Sequence, residues 1–258
     1  LWWRVIAGWL TKRGCKISKL DQATFSLFEH GSLVALVAVH VDDVIVGVRR
    51  GNRFIDELKA AFTWGEWSLD NFKFCGREIQ RFETSILITQ REFLDNAEVT
   101  RPPKVRRDAP NSPLTSEEVT EFKSVIGSLQ WCCGQSRPDA SATTSLLQTG
   151  SPTIESLLQA YALLKDLKAT SSEGLRLHKA KLDDVIVLAY GDSSWSNAGG
   201  HLSQSGFVIY LTTTAAFTAS GTTGSIVDWK SHRLRRACGS TLYAEAMGVR
   251  EAALSRVW

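Results

Sequence analysis

Apolar and polar residues alternate along this chain so as to divide it into many short elements. The longest apolar tract, Leu33–Val48, is interrupted at its centre by Asp42-Asp43. Val- and Ile-rich runs of this length predict two paired, buried strands, with the acid pair at the tip of a β-hairpin. Adjacent carboxylates repel each other and are costly to bury unpaired, so a hairpin tip that carries them is suited to holding a cation. Asp-Asp is also ordinary turn chemistry, because Asp favours turns.

Around this tract the periodicity changes several times. Leu1–Gly14 places Trp2, Val5, Ile6, Trp9 and Leu10 at helical spacing and closes on a glycine, which predicts an amphipathic helix whose tryptophans pack in a core. Cys15–Phe28 is a connector that ends in the element Asp21–Phe28, followed by a His30-Gly31 turn. Downstream, Phe54, Ile55, Leu58, Ala61 and Phe62 predict a short helix over Gly51–Phe62. Trp67–Phe74 reads as strand or turn. Phe74–Ile79 leads into a second hairpin with Ile86-Leu87-Ile88 as its return strand, and Gln90–Glu98 has helical composition.

Arg101–Pro113 breaks the pattern. It holds four of the six prolines and the cations Arg101, Lys104, Arg106 and Arg107. This is the expected linker. Its cations could grip a phosphate backbone, although a solvated linker is the commoner meaning of such a cluster. Leu114–Gln148 and Pro152–Ala169 then predict helices. Thr115-Ser116-Glu117-Glu118 marks a helix start and Arg137-Pro138-Asp139 an interruption. Val185–Tyr190, Ser205–Leu211 and Ser225–Lys230 predict three strands, expected to be antiparallel neighbours from their turn connections, and Ser240–Trp258 predicts a helix. The fold class expected is α+β.

Composition narrows this picture only slightly. The hydrophobic fraction of 43% and charged fraction of 22% are those of a folded globular chain, and the net charge of +3 is mildly basic. The five cysteines (15, 75, 132, 133 and 238) form no CxxC pair and have no histidine at ligand spacing, which predicts a reducing, intracellular setting and no zinc site. No apolar run reaches the roughly 18 residues that a membrane span needs, and no leader pattern is present. The chain begins at Leu1 and stops at Trp258 within amphipathic patterns, as expected of a fragment.

The motifs, taken in order, resemble those of the reverse transcriptases of copia-type retrotransposons. HVDDVIVG resembles the family's YVDD box, and the lead-in LWWRVIAGWLTKRGCKISKLDQATFSLF is similar to the helix, connector and D-x-x-x-F element that precede it. FCGREI resembles F-L-G-I-E-I, ITQREFLDNA the Gln-containing helix that follows, and FKSVIGSLQW with SRPDA the Y-R-x-x-I-G-S-L-x-Y and T-R-P-D-I elements. Further on, AYGDSSWSN resembles the Y-S-D-A-D-W-A strand end of the associated RNase H. SGFVIYL and VDWKSHRLRRACGSTLYAEAMGVREA resemble its next strands and helix.

The resemblance implies a partial reverse-transcriptase palm over residues 1–100, a helical thumb- or connection-like segment over 101–180, and the N-terminal part of an RNase H-like domain over 181–258. It further implies that Asp42 and Asp43 are catalytic metal ligands of a polymerase, and that Asp192 and Glu245 are catalytic metal ligands of the RNase H. The cofactor would be Mg²⁺ or Mn²⁺. The partners would be an RNA template, a DNA primer, an RNA–DNA hybrid and deoxynucleoside triphosphates, with no membrane. Three departures stand out. His40 replaces the tyrosine of the box, Ser194 replaces the second aspartate of D-A-D-W, and placing Glu245 on the family's glutamate requires one inserted residue after Leu242 and Tyr243. The family's other polymerase aspartate is expected upstream of Leu1, and two further nuclease acids downstream of Trp258. This chain alone is therefore expected to catalyse neither reaction. The competing expectation is a decayed or co-opted fragment that at most binds nucleic acid. Among lesser candidates, Cys132-Cys133 is expected to pack in a helical core and Asp183-Asp184 to serve a turn. Arg233, Arg235 and Arg236 could reach a nucleic-acid backbone, and His201 reads as a surface residue.

Overall fold

A computed structural model describes residues 2–148, 150–198, 202–218, 221–235 and 237–255. The fold is mixed α/β with antiparallel sheets. Its contacts group into two units, Leu1–Cys75 and Gly76–Trp258. The boundaries expected near residues 100 and 180 both lie inside the second unit. Arg236 and His201 lie outside the described residues.

The first unit runs α1 (Trp2–Lys12), β1 (Lys16–Ile17), β2 (Thr24–Glu29), β3 (Ser32–His40), β4 (Asp43–Val48), α2 (Phe54–Ala61) and β5 (Asn71–Phe74). Gly14, at φ +95°, lets the chain leave α1 in a left-handed conformation that a side chain would strain. β1 to β4 form an antiparallel sheet in sequence order. Strand alternation sends Phe25, Leu27, Val37 and Val39 to one face, where they are buried with Ile6 and Leu10 of α1 and Phe54 and Leu58 of α2. Trp2, Trp9, Phe62 and Trp64 close this core through edge-on ring contacts, as the helical spacing of the α1 tryptophans predicts.

The second unit begins with β6 (Arg77–Arg81), β7 (Ser85–Thr89), α3 (Arg91–Asn96) and α4 (Lys104–Arg107). It continues through the helices α5 (Ser116–Gln135), α6 (Ser141–Leu147) and α7 (Ile154–Ala169), then β8 (Leu175–His178), β9 (Val185–Ser194), β10 (Gln204–Thr213), β11 (Ser225–Arg233) and α8 (Thr241–Leu254). α5 starts at the expected place. Thr115 caps it in a reciprocal pair with Glu118, whose carboxylate also takes two donors from Arg106. The expected linker therefore carries a helical turn and a tied-down arginine. Leu129, Cys132, Leu157, Ala160 and Leu164 fill the helical core together with Leu94 of α3, in agreement with the packing role expected of Cys132 and Cys133. Burial pushes the Cys132 thiol up to about 12, so it stays protonated and inert.

Arg137 fixes the break between α5 and α6. It is 4% exposed, pairs with Asp139, and donates to the carbonyls of Leu167 and Thr170 at the end of α7. Beyond the helices, β8 pairs antiparallel with β7, and β9, β10 and β11 form a separate antiparallel sheet in the order β11-β10-β9. The indole of Trp229 on β11 donates to the Cys133 carbonyl at 2.7 Å, which ties that sheet to α5.

Candidate active site

The β3–β4 hairpin closes with Val41 and Asp42 as its two-residue loop, since His40 pairs directly with Asp43. Val41 has φ +55°, whereas Asp42 is not among the positive-φ residues. A positive φ at the first central residue alone is the type II′ pattern, which matches the twist of a hairpin but normally asks for glycine. A β-branched residue there is a true outlier, with a cost of about 1–3 kcal/mol.

Asp42 and Asp43 are both exposed, and neither carboxylate has a hydrogen-bond or ion-pair partner among the described residues. The same register sets out the open face of the sheet. Asp43 and His40 stand at its edge, and behind them come Ala38 and Ile45 with Thr24, then Leu36 and Gly47 with Ser26. The His40 ring meets Phe74 edge-on at 6.3 Å, which restricts its orientation. This surface mixes the small or polar Thr24, Ser26, Ala38 and Gly47 with the apolar Leu36 and Ile45, and has two unneutralised carboxylates at one end. Adjacent, unpaired, solvent-facing carboxylates suit a hard cation such as Mg²⁺, which uses one or two carboxylates and completes its shell with water or phosphate oxygens. No group of three His, Cys, Asp or Glu side chains gathers there or elsewhere among the described residues.

The second expected site is arranged differently. Asp192 lies within β9, opposite Gly206 of β10, and its carboxylate accepts from the backbone N–H of Ser193 at 2.8 Å. A Cβ at Gly191 would come within 2.6 Å of the Gly248 carbonyl of α8, and Ser193 Oγ points at Gly248. Gly191 and Ser193 thus face α8, and strand alternation puts the Asp192 side chain on the opposite face. Glu245 is exposed on α8, three residues before Gly248. Asp192 and Glu245 therefore leave from different sides of the β9–α8 contact. Asp184 serves a turn, as expected, by accepting from Thr214.

A buried polar row between this sheet and α8 was not visible in the sequence. Ser193, Ser205 and His232 are cross-strand neighbours, and His232 Nε2 lies 3.1 Å from Glu251 of α8. Ser193 Oγ, Ser205 Oγ and His232 Nδ1 are buried without a partner among the described residues. The row separates an apolar patch of Phe207, Ile209 and Ala252 from another of Leu234, Cys238 and Ala244. Ser205 is only 1% exposed, whereas the His232 and Glu251 side chains are 25% and 23% exposed. No motif marks these residues, because only strand register brings them together. Arg233 donates to the Gln148 carbonyl, so that guanidinium is at least partly committed within the protein.

No helix among the described residues is long and apolar enough to cross a membrane. Comparison with known proteins gave no match: no family model fits the chain, and no curated protein or solved structure is significantly similar to it.

Proposed function

We propose that this chain is part of a retrotransposon RNA-directed DNA polymerase with its associated RNase H, and that the β3–β4 hairpin is the polymerase's cation-bearing tip. The observation that carries this reading is the strained two-residue turn that presents Asp42 and Asp43 to solvent without partners. Backbone strain persists where the surroundings over-determine it, and it concentrates at functional sites. Asp42 and Asp43 would hold Mg²⁺ or Mn²⁺, and such an ion stabilises charge on the oxygens of a reacting phosphate. The open sheet face would support a primer–template backbone, its small residues allowing close approach, with His40 held by Phe74 where it can stack on or hydrogen-bond to a nucleotide.

The RNase H half of the proposal rests on the order of β9, β10, β11 and α8 together with the sequence resemblance. Asp192 and Glu245 lie on its first strand and helix but diverge across their contact. Absence of turnover by this chain alone remains part of the proposal, and the primer-extension measurement below tests it.

The test is a titration with Mn²⁺ followed by electron paramagnetic resonance, alongside an anisotropy measurement of RNA–DNA hybrid binding. Binding of Mn²⁺ that disappears in Asp42→Asn/Asp43→Asn is expected. Hybrid binding should weaken as salt is raised. Unchanged Mn²⁺ binding in the double variant would sink the assignment of the hairpin. Primer extension that is lost in Asp42→Ala would refute the absence of turnover.

A further inference from the structure

Helix α8 carries two apolar stripes, and the sheet uses only one. Ala244, Gly248 and Ala252 are buried against β9 and β10, and these small residues let the helix lie close to the strands. Leu242, Ala246, Val249 and Ala253 form the second stripe, and all four are exposed, Leu242 by 76% and Val249 by 60%. Their spacing of four, three and four residues is that of alternating d and a positions in a heptad. In that frame Glu245 occupies a g position and Arg250 the following e position. Both are exposed, and neither has an ion-pair partner among the described residues.

We propose that α8 is a self-association surface that pairs in parallel with α8 of a second copy of this chain. A parallel two-helix seam brings the g residue of one helix to the e residue five positions later on its partner. Glu245 of each copy then faces Arg250 of the other. A two-fold axis along the seam generates this pair twice, so the stripe is complementary to itself in charge as well as in shape. An antiparallel pair places g beside g and e beside e and so forms neither of these ion pairs. Docking on the sheet already folds α8, so pairing does not have to bear the cost of helix nucleation. The seam spans only two heptads, which makes the dimer weak and concentration-dependent.

This inference goes beyond the proposed polymerase function and does not depend on it; Glu245 acts here as an ion-pair partner, not as the metal ligand that the resemblance implies. Sedimentation equilibrium of the whole chain over a wide concentration range provides the test. The mass should rise toward that of a dimer, and Val249→Glu should hold it at the monomer while circular dichroism shows the helix content retained. Glu245→Arg should raise the dimer dissociation constant roughly tenfold, because two attractive pairs become repulsive. Adding Arg250→Glu to that variant should restore association. Asp42→Asn/Asp43→Asn should leave the mass unchanged, so failure of the hairpin assignment and failure of this one are told apart. A monomer at every concentration would overturn the proposal. So would association that survives Val249→Glu, or a double charge reversal that does not recover it.

Discussion

Val41 is the residue where local preference and structure conflict most directly. Its φ of +55° suits glycine and penalises a β-branched side chain. Val41→Gly removes about 1–3 kcal/mol of strain but gives back about 0.5–1 kcal/mol in unfolded-chain entropy. The variant is expected to be more stable in urea denaturation, by roughly 0.5–2 kcal/mol. A loss of stability would show that the turn is unstrained. The acid pair beside it was legible in the sequence because it interrupts an apolar run. The strain was not, since nothing about valine announces a left-handed backbone. A second residue-scale expectation concerns Glu118. Hydrogen bonding and charge from Arg106 hold its carboxyl below the usual glutamate value. The stabilisation is complete above that usual value and is lost as pH falls through the lowered one. Glu118→Gln should therefore be less stable than the parent near neutral pH, and the two denaturation curves should converge in acid.

Among the elements, the contact of β9 with α8 depends on two glycines. A Cβ at Gly248 would meet Ser193 Oγ at 2.5 Å and the Asp192 carbonyl at 3.0 Å. One at Gly191 would meet backbone of α8 at 2.6 Å. Backbone cannot yield as a flexible side chain does, so Gly191→Ala is expected to destabilise the second unit by about 1–3 kcal/mol. Gly127→Ala, on α5 with open space around it, makes the control and should not destabilise. Equal effects of the two substitutions on the urea midpoint would show that the close approach is not needed. Local periodicity revealed β3, β4, α5, α7 and the three strands β9 to β11, because each carries its own apolar face. It did not reveal β8, a four-residue strand whose pairing depends on β7, far away in the chain. Gly174 shows how tightly that pairing is built, since a Cβ there would overlap the Ile88 carbonyl of β7. The contact exists only after α5, α6 and α7 fold between the two strands, which no window of sequence can report.

At the scale of the whole chain, the same pairing carries contacts across the boundary expected near residue 100. β7 and α3 lie before the proline-rich segment, yet their partners lie after it. Ile88 pairs with Leu175, Ser136 donates to Gln90, Ser171 donates to Asp95, and Lys168 donates to the Ala97 carbonyl. Leu94, fully buried, completes the core formed by α5 and α7. Prolines and clustered cations mark a place where periodicity stops, and periodicity can stop inside a cooperative unit as readily as between two. A fragment of residues 101–258 is therefore expected to unfold less cooperatively, with a smaller urea slope than its length alone predicts. It would lack the strand beside β8 and the leucine that seals the helices. A fragment of residues 76–258 retains every one of these contacts and is expected to unfold in a single transition, followed by tryptophan fluorescence and far-ultraviolet circular dichroism together. If 101–258 matches it in midpoint and slope, the contacts made by residues 85–97 add nothing to the stability of the second unit, and the proline-rich segment is a true boundary.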